Sequence, residues 1–209
     1  MEPLVKRINY LKKTEIGNII SHRMKHFKEL SRKNDDEWFS ELCFCLLTAN
    51  STAKLGISIQ YDIGFDGFYN MTHDELSKYL KGRGHRFWNK RAEFIHCARK
   101  NRDVKNELSG IHTVEDKREW LVKNVKGIGY KEASHFLRNT GHDDVAILDR
   151  HILSIMHKFG MISERPKSLT RKRYLELEQK LKPLAKETNL SLAELDLYLW
   201  YMKTGEILK

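Results

Sequence analysis

Proline, cysteine and glycine are scarce in this chain, which has 3 Pro, 3 Cys and 12 Gly among 209 residues. The cysteines, Cys43, Cys45 and Cys97, are odd in number and include only one close pair, so the sequence supports neither a disulfide framework nor a four-cysteine metal site. No apolar run approaches the ~20 residues of a membrane-spanning helix, and the first residues lack the apolar stretch of a signal peptide. These absences predict a cytoplasmic protein, or a nuclear one if its host has a nucleus.

The composition and the spacing of apolar residues favour an α-helical fold. Hydrophobic residues make up 40% of the chain and charged residues 32%, a balance typical of folded globular proteins. Apolar residues recur at helical spacing, which predicts a mainly α protein of long helices joined by short turns. Gly64, Gly67 and 82–84 are expected to break a less regular region into short helices. The length suits one globular unit, or two packed lobes that share a cleft.

The charge of the chain is strongly positive. There are 38 Lys and Arg against 28 Asp and Glu, which gives a formal net charge of +10. Such an excess favours binding to a polyanion. We therefore expect a nucleic acid as the partner, with an anionic membrane surface as the second alternative.

Side chains that can cap a helix predict where several helices begin. Asn34, Asp149 and Ser191 each stand just before a helical pattern, and Ser191 forms a capping box with Glu194. Two further helical patterns flank the glycine-rich turn KGIG, which predicts a helix-hairpin-helix at about 114–140.

Histidines do not form an evident metal site. His85, His135, His142 and His151 include no pair with the His-x-x-x-His spacing of a helical ligand pair, and no cysteine accompanies them. The sequence therefore predicts no catalytic metal and no cofactor.

The hairpin turn suits a contact with phosphate. Gly127 and Gly129 flank an apolar residue, which lets the backbone turn tightly and approach a phosphate, while free amides at the next helix start can bind it. We therefore assign Lys126, Gly127 and Gly129 to a sequence-independent contact with a DNA backbone. On the hairpin alone, a plain turn between two helices is an equally good interpretation.

Five segments carry a resemblance to a known family. VKGIGYKEASHFLR (125–138) and VAILDRHI (145–152) resemble the helix-hairpin-helix and Gly/Pro/Asp signature of the base-excision DNA glycosylases. ELCFCLLTAN (41–50), GHRFWNKRA (84–92) and ELDLYLW (194–200) narrow the resemblance to the short 8-oxoguanine DNA glycosylase/AP lyase class of archaea and some bacteria. The similarity runs over nearly the whole chain.

The resemblance implies a two-lobed helical fold in which the hairpin borders the active-site cleft. One lobe is expected to comprise residues 1–33 plus 149–209, and the other residues 34–148. Relatives of endonuclease III carry a C-terminal iron–sulfur cluster, but no cysteine follows Cys97 here, so the ligands for such a cluster are missing.

Lys131 and Asp149 are the catalytic residues that the resemblance implies. A lysine just after the hairpin with an aspartate eighteen positions downstream is the spacing of the bifunctional members, and monofunctional members lack the lysine. The positive end of a helix dipole favours the neutral amine that a nucleophile must be. A carboxylate held as a helix cap can stabilise the positive charge that develops on the sugar. Without the motif, Lys131 would be read as an exposed charge and Asp149 as a simple N-cap.

The resemblance also assigns residues that read the base. Asn50 would enter the gap left by a flipped base, Phe87 and Trp200 would sandwich the extruded purine, and Asp196 would accept from its Watson–Crick edge. Lys209 would help to distinguish oxidised from normal guanine. From the residues alone, Asn50 fits a helix C-cap, the two aromatic residues fit a core, and Asp196 fits a surface charge.

Together these features imply a bifunctional base-excision repair enzyme. The expected substrate is double-stranded DNA containing 8-oxoguanine, and the enzyme is expected to act as a monomer that associates with the nucleoid when bound to DNA. Two alternatives stay open: a glycosylase/lyase for another oxidised base, and a non-catalytic helix-hairpin-helix module that only binds DNA.

Overall fold

The computed structural model describes residues 2–209, which form twelve α-helices and one 3₁₀ turn at Arg99–Asn101. No β-strand occurs within these residues, so the predicted mainly α class is confirmed. None of the helices in this range is long and apolar enough to cross a membrane. The helices are α1 (Glu2–Leu11), α2 (Glu15–Ser31), α3 (Asp35–Thr48), α4 (Ala53–Asn70), α5 (His73–Gly82), α6 (Trp88–Ala98), α7 (Val104–Ser109), α8 (Val114–Asn124), α9 (Tyr130–Asn139), α10 (Arg150–Lys158), α11 (Arg171–Thr188) and α12 (Leu192–Thr204).

The predicted capping side chains do begin their helices. The Asn34 side chain accepts the Glu37 amide at 3.1 Å at the start of α3. Ser191 and Glu194 form the complete capping box of α12, in which each side chain accepts a backbone amide of the other residue. Asp149 caps α10. These local hydrogen bonds satisfy amides that have no partner inside their own helix.

The glycines before the hairpin break the chain less often than predicted. α4 is kinked at Gly64, which has a left-handed φ of +51°, and it then continues to Asn70. Gly67 does not end a helix, so the predicted break there is wrong. A Cβ at Gly67 would lie 2.4 Å from the Ile63 Cβ, and glycine relieves that crowding. α5 ends at Gly82, where a break was expected.

Apolar side chains pack in two clusters. The first combines both ends of the chain, α1 and α2 with α10, α11 and α12, and the second combines α3 to α9. Val145 belongs to the second cluster, while Ala146 and Leu148 belong to the first. The packing therefore changes over between residues 145 and 146, three residues before the predicted lobe boundary. The division into lobes at 148 stays a prediction.

Two buried ion pairs join the clusters. Arg118 on α8 donates two parallel hydrogen bonds of 2.9 Å to Glu178 on α11. Arg138 on α9 donates to Asp196 on α12 at 2.7 Å. All four side chains are almost completely shielded from solvent. Each pair links a helix of the hairpin motif to a helix from the end of the chain.

The connection between α9 and α10 is irregular backbone that buried side chains hold in place. Glu178 accepts the Ala146 amide at 3.0 Å, and Asp196 accepts the next amide, that of Ile147, at 3.1 Å. The Tyr174 hydroxyl donates to the Ala146 carbonyl at 2.7 Å and accepts the Leu148 amide at 3.2 Å. A buried backbone without a helix or sheet needs such partners. They fix the segment that ends at Asp149.

The Arg118–Glu178 pair is expected to contribute strongly to stability. Arg118→Met leaves the Glu178 carboxylate buried without its countercharge, which should lower the free energy of unfolding by about 3–5 kcal/mol. Urea denaturation followed by circular dichroism measures this. The control is Arg173→Met, which removes a partly exposed pair with Glu176 and should cost less than about 1 kcal/mol. Equal losses in the two variants would contradict the role given to the buried pair.

Candidate active site

A pocket lies where the hairpin motif meets the end of the chain. It brings together five residues that the sequence assigned to the site: Lys131, Asp149, Asp196, Trp200 and Lys209. The remaining lining residues are Thr48, Ser51, Ala53, His135, Arg138, Ile147, Leu197 and Leu208. The two candidate catalytic residues, eighteen positions apart in sequence, therefore face one cavity.

Asp149 is held rigidly at the start of α10. Its Oδ1 accepts the His151 amide at 2.8 Å and the Ile152 amide at 2.9 Å. Its Oδ2 has no hydrogen-bond partner within residues 2–209. One oxygen thus orients the carboxylate, and the other stays available to a positive charge in the pocket. The predicted N-cap and a role in the pocket are compatible.

Lys131 is the second residue of α9, directly after the hairpin. Its side chain is 27% exposed, and its Nζ lies 3.1 Å from Glu132 Oε1. The side chain is thus reachable from the pocket but partly shielded from water. Glu132 counters the positive end of the helix, an influence that the sequence analysis did not include.

The hairpin depends on one glycine more than on the other. Gly127 has a left-handed φ of +92°, and a Cβ there would lie 2.3 Å from the Phe94 ring. Gly129 has an extended conformation that any residue can adopt, and it precedes α9 without a side-chain cap. The first amides of α9 are therefore left to another acceptor. Lys126 is exposed and pairs with Glu93 at 2.7 Å. This pair and Lys90 lower the pKa of Glu93 to about 2.

Asp196 is a buried structural acid in this arrangement. Its Oδ2 accepts from Arg138 and its Oδ1 from the Ile147 amide. Burial raises the pKa of Asp196 to about 6, while Arg138 acts in the opposite direction. Both oxygens are thus engaged with the protein, although the residue lines the pocket. Its assignment as an acceptor for the base stays a prediction.

Trp200 and Phe87 are not brought together. The Trp200 ring lines the pocket and meets the His151 ring edge to face, with centroids 4.8 Å apart. Its buried Nε1 has no hydrogen-bond partner in the described part of the chain. Phe87 is 37% exposed, is covered by the Arg86 guanidinium and does not line this pocket. A sandwich of these two rings is therefore not preformed.

Asn50 projects from a turn after α3. It is exposed and has a left-handed φ of +57°, which asparagine tolerates better than most residues. The helix C-cap position falls one residue earlier, on Ala49. Arg91 on α6 donates to the Ala49 carbonyl at 2.6 Å, and this hydrogen bond connects the turn to α6.

His85 links the last turn of α3 to the backbone of Phe87. Its Nε2 lies 2.9 Å from the Leu47 carbonyl, and its Nδ1 accepts the Phe87 amide at 3.3 Å. Burial lowers the pKa of His85, which keeps the ring neutral with its proton on Nε2. The sequence analysis considered this histidine only as a metal ligand. Its structural role was not foreseen.

His135 and Arg138 are pocket residues that the sequence analysis missed. They stand four and seven positions after Lys131, so all three share one face of α9. Burial and the neighbouring Arg138 and Lys131 charges lower the pKa of His135 well below its usual value. The helical spacing from Lys131 was the signal that could have found both. Within residues 2–209, no group of three or more His, Cys, Asp or Glu side chains could hold a metal ion.

Comparison with known proteins places this geometry in a family. The family model described as 8-oxoguanine DNA glycosylase, of the helix-hairpin-helix type, matches residues 20–190. A relative from Methanocaldococcus jannaschii, named 8-oxoguanine DNA glycosylase/AP lyase, is 52% identical over 206 residues. The aligned region covers 99% of this chain and 99% of the relative. One of the same name from Korarchaeum cryptofilum is 47% identical, over 100% of this chain and 99% of its own.

Solved structures agree with the sequence relatives. The M. jannaschii 8-oxoguanine glycosylase/lyase in complex with a 15mer DNA containing 8-oxoguanine matches with a TM-score of 0.96, at 51% identity and over 99% of both chains. The 8-oxoguanine DNA glycosylase of Thermotoga maritima matches with a TM-score of 0.94, at 43% identity, over 100% of this chain and 99% of its own. The chain therefore belongs to the helix-hairpin-helix family of 8-oxoguanine DNA glycosylases.

Proposed function

We propose that this protein excises 8-oxoguanine from duplex DNA and then nicks the resulting abasic site. The observation that carries the proposal is the single pocket in which Lys131, Asp149 and Trp200 meet. An amine, a fixed carboxylate and an aromatic surface are the groups that nucleophilic displacement of a flipped base requires. The full-length identity to relatives named glycosylase/AP lyase supports the same reaction.

Base excision begins with the Lys131 amine as the nucleophile. Its Nζ attacks C1′ of the damaged nucleoside, the N-glycosidic bond breaks, and the bonding electrons leave with the base. Positive charge develops on the sugar during this step, and the free Oδ2 of Asp149 stabilises it. The base departs as the neutral species once it has taken a proton, which the attacking amine releases.

Strand cleavage follows from the covalent intermediate. The sugar ring opens to give a Schiff base between C1′ and Lys131 Nζ. The protonated imine makes the C2′ hydrogen acidic. Water takes that proton, the C3′–O bond breaks, and the 3′ phosphate leaves with the bonding electrons. This is a β-elimination, and no metal or organic cofactor takes part in it.

The hairpin supplies the grip on the DNA backbone. Gly127 allows the tight turn against the Phe94 ring, and the uncapped first amides of α9 can donate to a phosphate. The proposed enzyme works as a monomer in the cytoplasm, where it acts on the DNA of the nucleoid. Contacts to phosphate fix the position of the protein, and the pocket supplies the specificity.

The different roles proposed for Lys131 and Asp149 predict different effects when each residue is substituted. Lys131→Gln keeps length and polarity but removes the amine, so DNA binding should persist while base release and the borohydride-trapped adduct disappear. Asp149→Asn can still cap α10, so folding should survive, yet base excision should slow by ~10²–10³-fold. Single-turnover excision and borohydride trapping on an 8-oxoguanine duplex measure both. Lys186→Gln, which removes an exposed charge from α11, is the control and should retain both reactions.

The alternative functions predict results in these assays that differ from those of the proposed enzyme. An adduct that persists in Lys131→Gln would show that another amine is the nucleophile. If the wild-type protein forms no adduct and releases no base from any lesion, it is a DNA-binding module. If it acts on duplexes with oxidised pyrimidines and spares 8-oxoguanine, the substrate has been assigned wrongly.

Binding to duplex DNA should depend steeply on salt. Each phosphate that the protein neutralises adds about −0.9 to the slope of log affinity against log salt concentration. Lys126→Gln should make that slope shallower by about 1, because it removes one phosphate contact at the hairpin. The Lys186→Gln control should leave the slope unchanged, since α11 places it about 22 Å from Arg171 near the hairpin. Fluorescence anisotropy between low and moderate salt concentrations measures the slopes. An affinity that does not change with salt concentration would contradict the proposed phosphate contacts.

A further inference from the structure

The last residues of the chain cross from one apolar cluster to the other. α12 ends in the left-handed Gly205, which has a φ of +76°, and residues 206–209 then turn back towards α3 and α4. Glu206 pairs with Lys54 on α4 at 2.5 Å. Leu208 and Lys209 form part of the wall of the active-site pocket. The pocket is thus closed on one side by a short tail that belongs to no helix.

The ammonium of Lys209 is fully engaged within the protein. Its Nζ donates to Glu41 Oε2 at 2.6 Å and to the Gln60 side-chain carbonyl, and it lies 4.2 Å from the centroid of the Phe44 ring. A lysine ammonium has three hydrogens to donate, and here it has two acceptors and one aromatic face. No donor is left over for a base in the pocket.

Other residues hold the Glu41 carboxylate in position to pair with the Lys209 ammonium. It is buried on α3, and its Oε1 accepts from the Asn139 side chain at 2.6 Å. The Gln60 amide nitrogen donates to Oε2 at 3.1 Å, which orients the amide so that its carbonyl faces Lys209. Asn139 in turn accepts from Arg138, which lines the pocket. The carboxylate is therefore fixed by neighbours other than the lysine.

We propose that Glu41 is a positioning residue that determines specificity by anchoring Lys209. The side chain of Lys209 then acts as a tether, and the backbone of residues 208–209 is the surface that the base meets. This inference rests on the proposed function and on the role in distinguishing 8-oxoguanine from guanine that the resemblance assigns to Lys209. In this proposal the ammonium does not contact the base, because its acceptors Glu41 and Gln60 line a neighbouring cavity and not the active-site pocket.

A double-mutant cycle between Glu41 and Lys209 tests the proposal. Glu41→Gln keeps the shape of the side chain and removes its charge, and Lys209→Ala removes the tether. Each single variant should lower the ratio of excision rates on 8-oxoguanine and guanine duplexes by about tenfold, as expected for loss of one charge-assisted hydrogen bond. The double variant should lose no more than either single one. Cleavage of a preformed abasic site should fall less than excision, since that step has no base to recognise.

Three further variants and measurements keep the outcome clear. Glu187→Gln removes an exposed carboxylate from α11 and should leave the ratio unchanged. Thermal unfolding shows whether Glu41→Gln is folded; if it is not, Gln60→Met carries the same test, because Gln60 touches the lysine without touching Arg138 or Asn139. It should also lower the ratio, and should do so only while Lys209 is present.

Several results would overturn the proposal. If Glu41→Gln leaves the ratio intact while Lys209→Ala lowers it, the ammonium reads the base itself. If the two losses multiply, Glu41 acts independently of Lys209. If Lys209→Ala behaves like the wild-type protein, the tail has no part in recognition. Failure of the wild-type protein to release 8-oxoguanine is a separate result, which contradicts the proposed function and the inference with it.

Discussion

The pairing of buried charges between the two apolar clusters is the constraint on which the rest of the structure depends. Arg118 with Glu178, and Arg138 with Asp196, tie the hairpin motif to the last two helices. The same two carboxylates accept consecutive amides of the segment that leads to Asp149. A buried charge without its partner lowers the stability of the fold. Because the same carboxylates bind this irregular backbone, loss of either pair would also disturb the backbone. The position of the Asp149 carboxylate is therefore set by side chains remote in sequence.

Local signals made part of the site predictable. The hairpin glycines, Lys131 and the capping aspartate Asp149 are short-range features, and the structure places both candidate catalytic residues on one pocket. The network behind them had no such signal, because Arg118 and Glu178 are sixty positions apart. Glu41 lies in a helix so apolar that the pattern indicated only core. Gly67 was misjudged because α4 continues past its kink at Gly64, and a pattern of glycines does not distinguish a kink from a helix end.

Some of the groups proposed for the reaction already lie in the pocket, and others do not. The two groups proposed to act on the sugar are in place, since Asp149 caps α10 and Lys131 lies in the first turn of α9. The aromatic surfaces for a base are not, because Trp200 lines the pocket and Phe87 lies outside it. His85 links the backbone of Phe87 to the last turn of α3, and Asn50 lies just after that helix. This arrangement suits a pocket completed when the DNA is bound.

Identification of the residue that becomes covalently attached to DNA tests the central claim most directly. Borohydride reduction of the wild-type protein on an 8-oxoguanine duplex, followed by nuclease and protease digestion and mass spectrometry, locates the lysine that retains the sugar remnant. We predict that this residue is Lys131, in the peptide that follows the hairpin. A remnant on any other amine would contradict the assignment of the nucleophile and the reaction built on it.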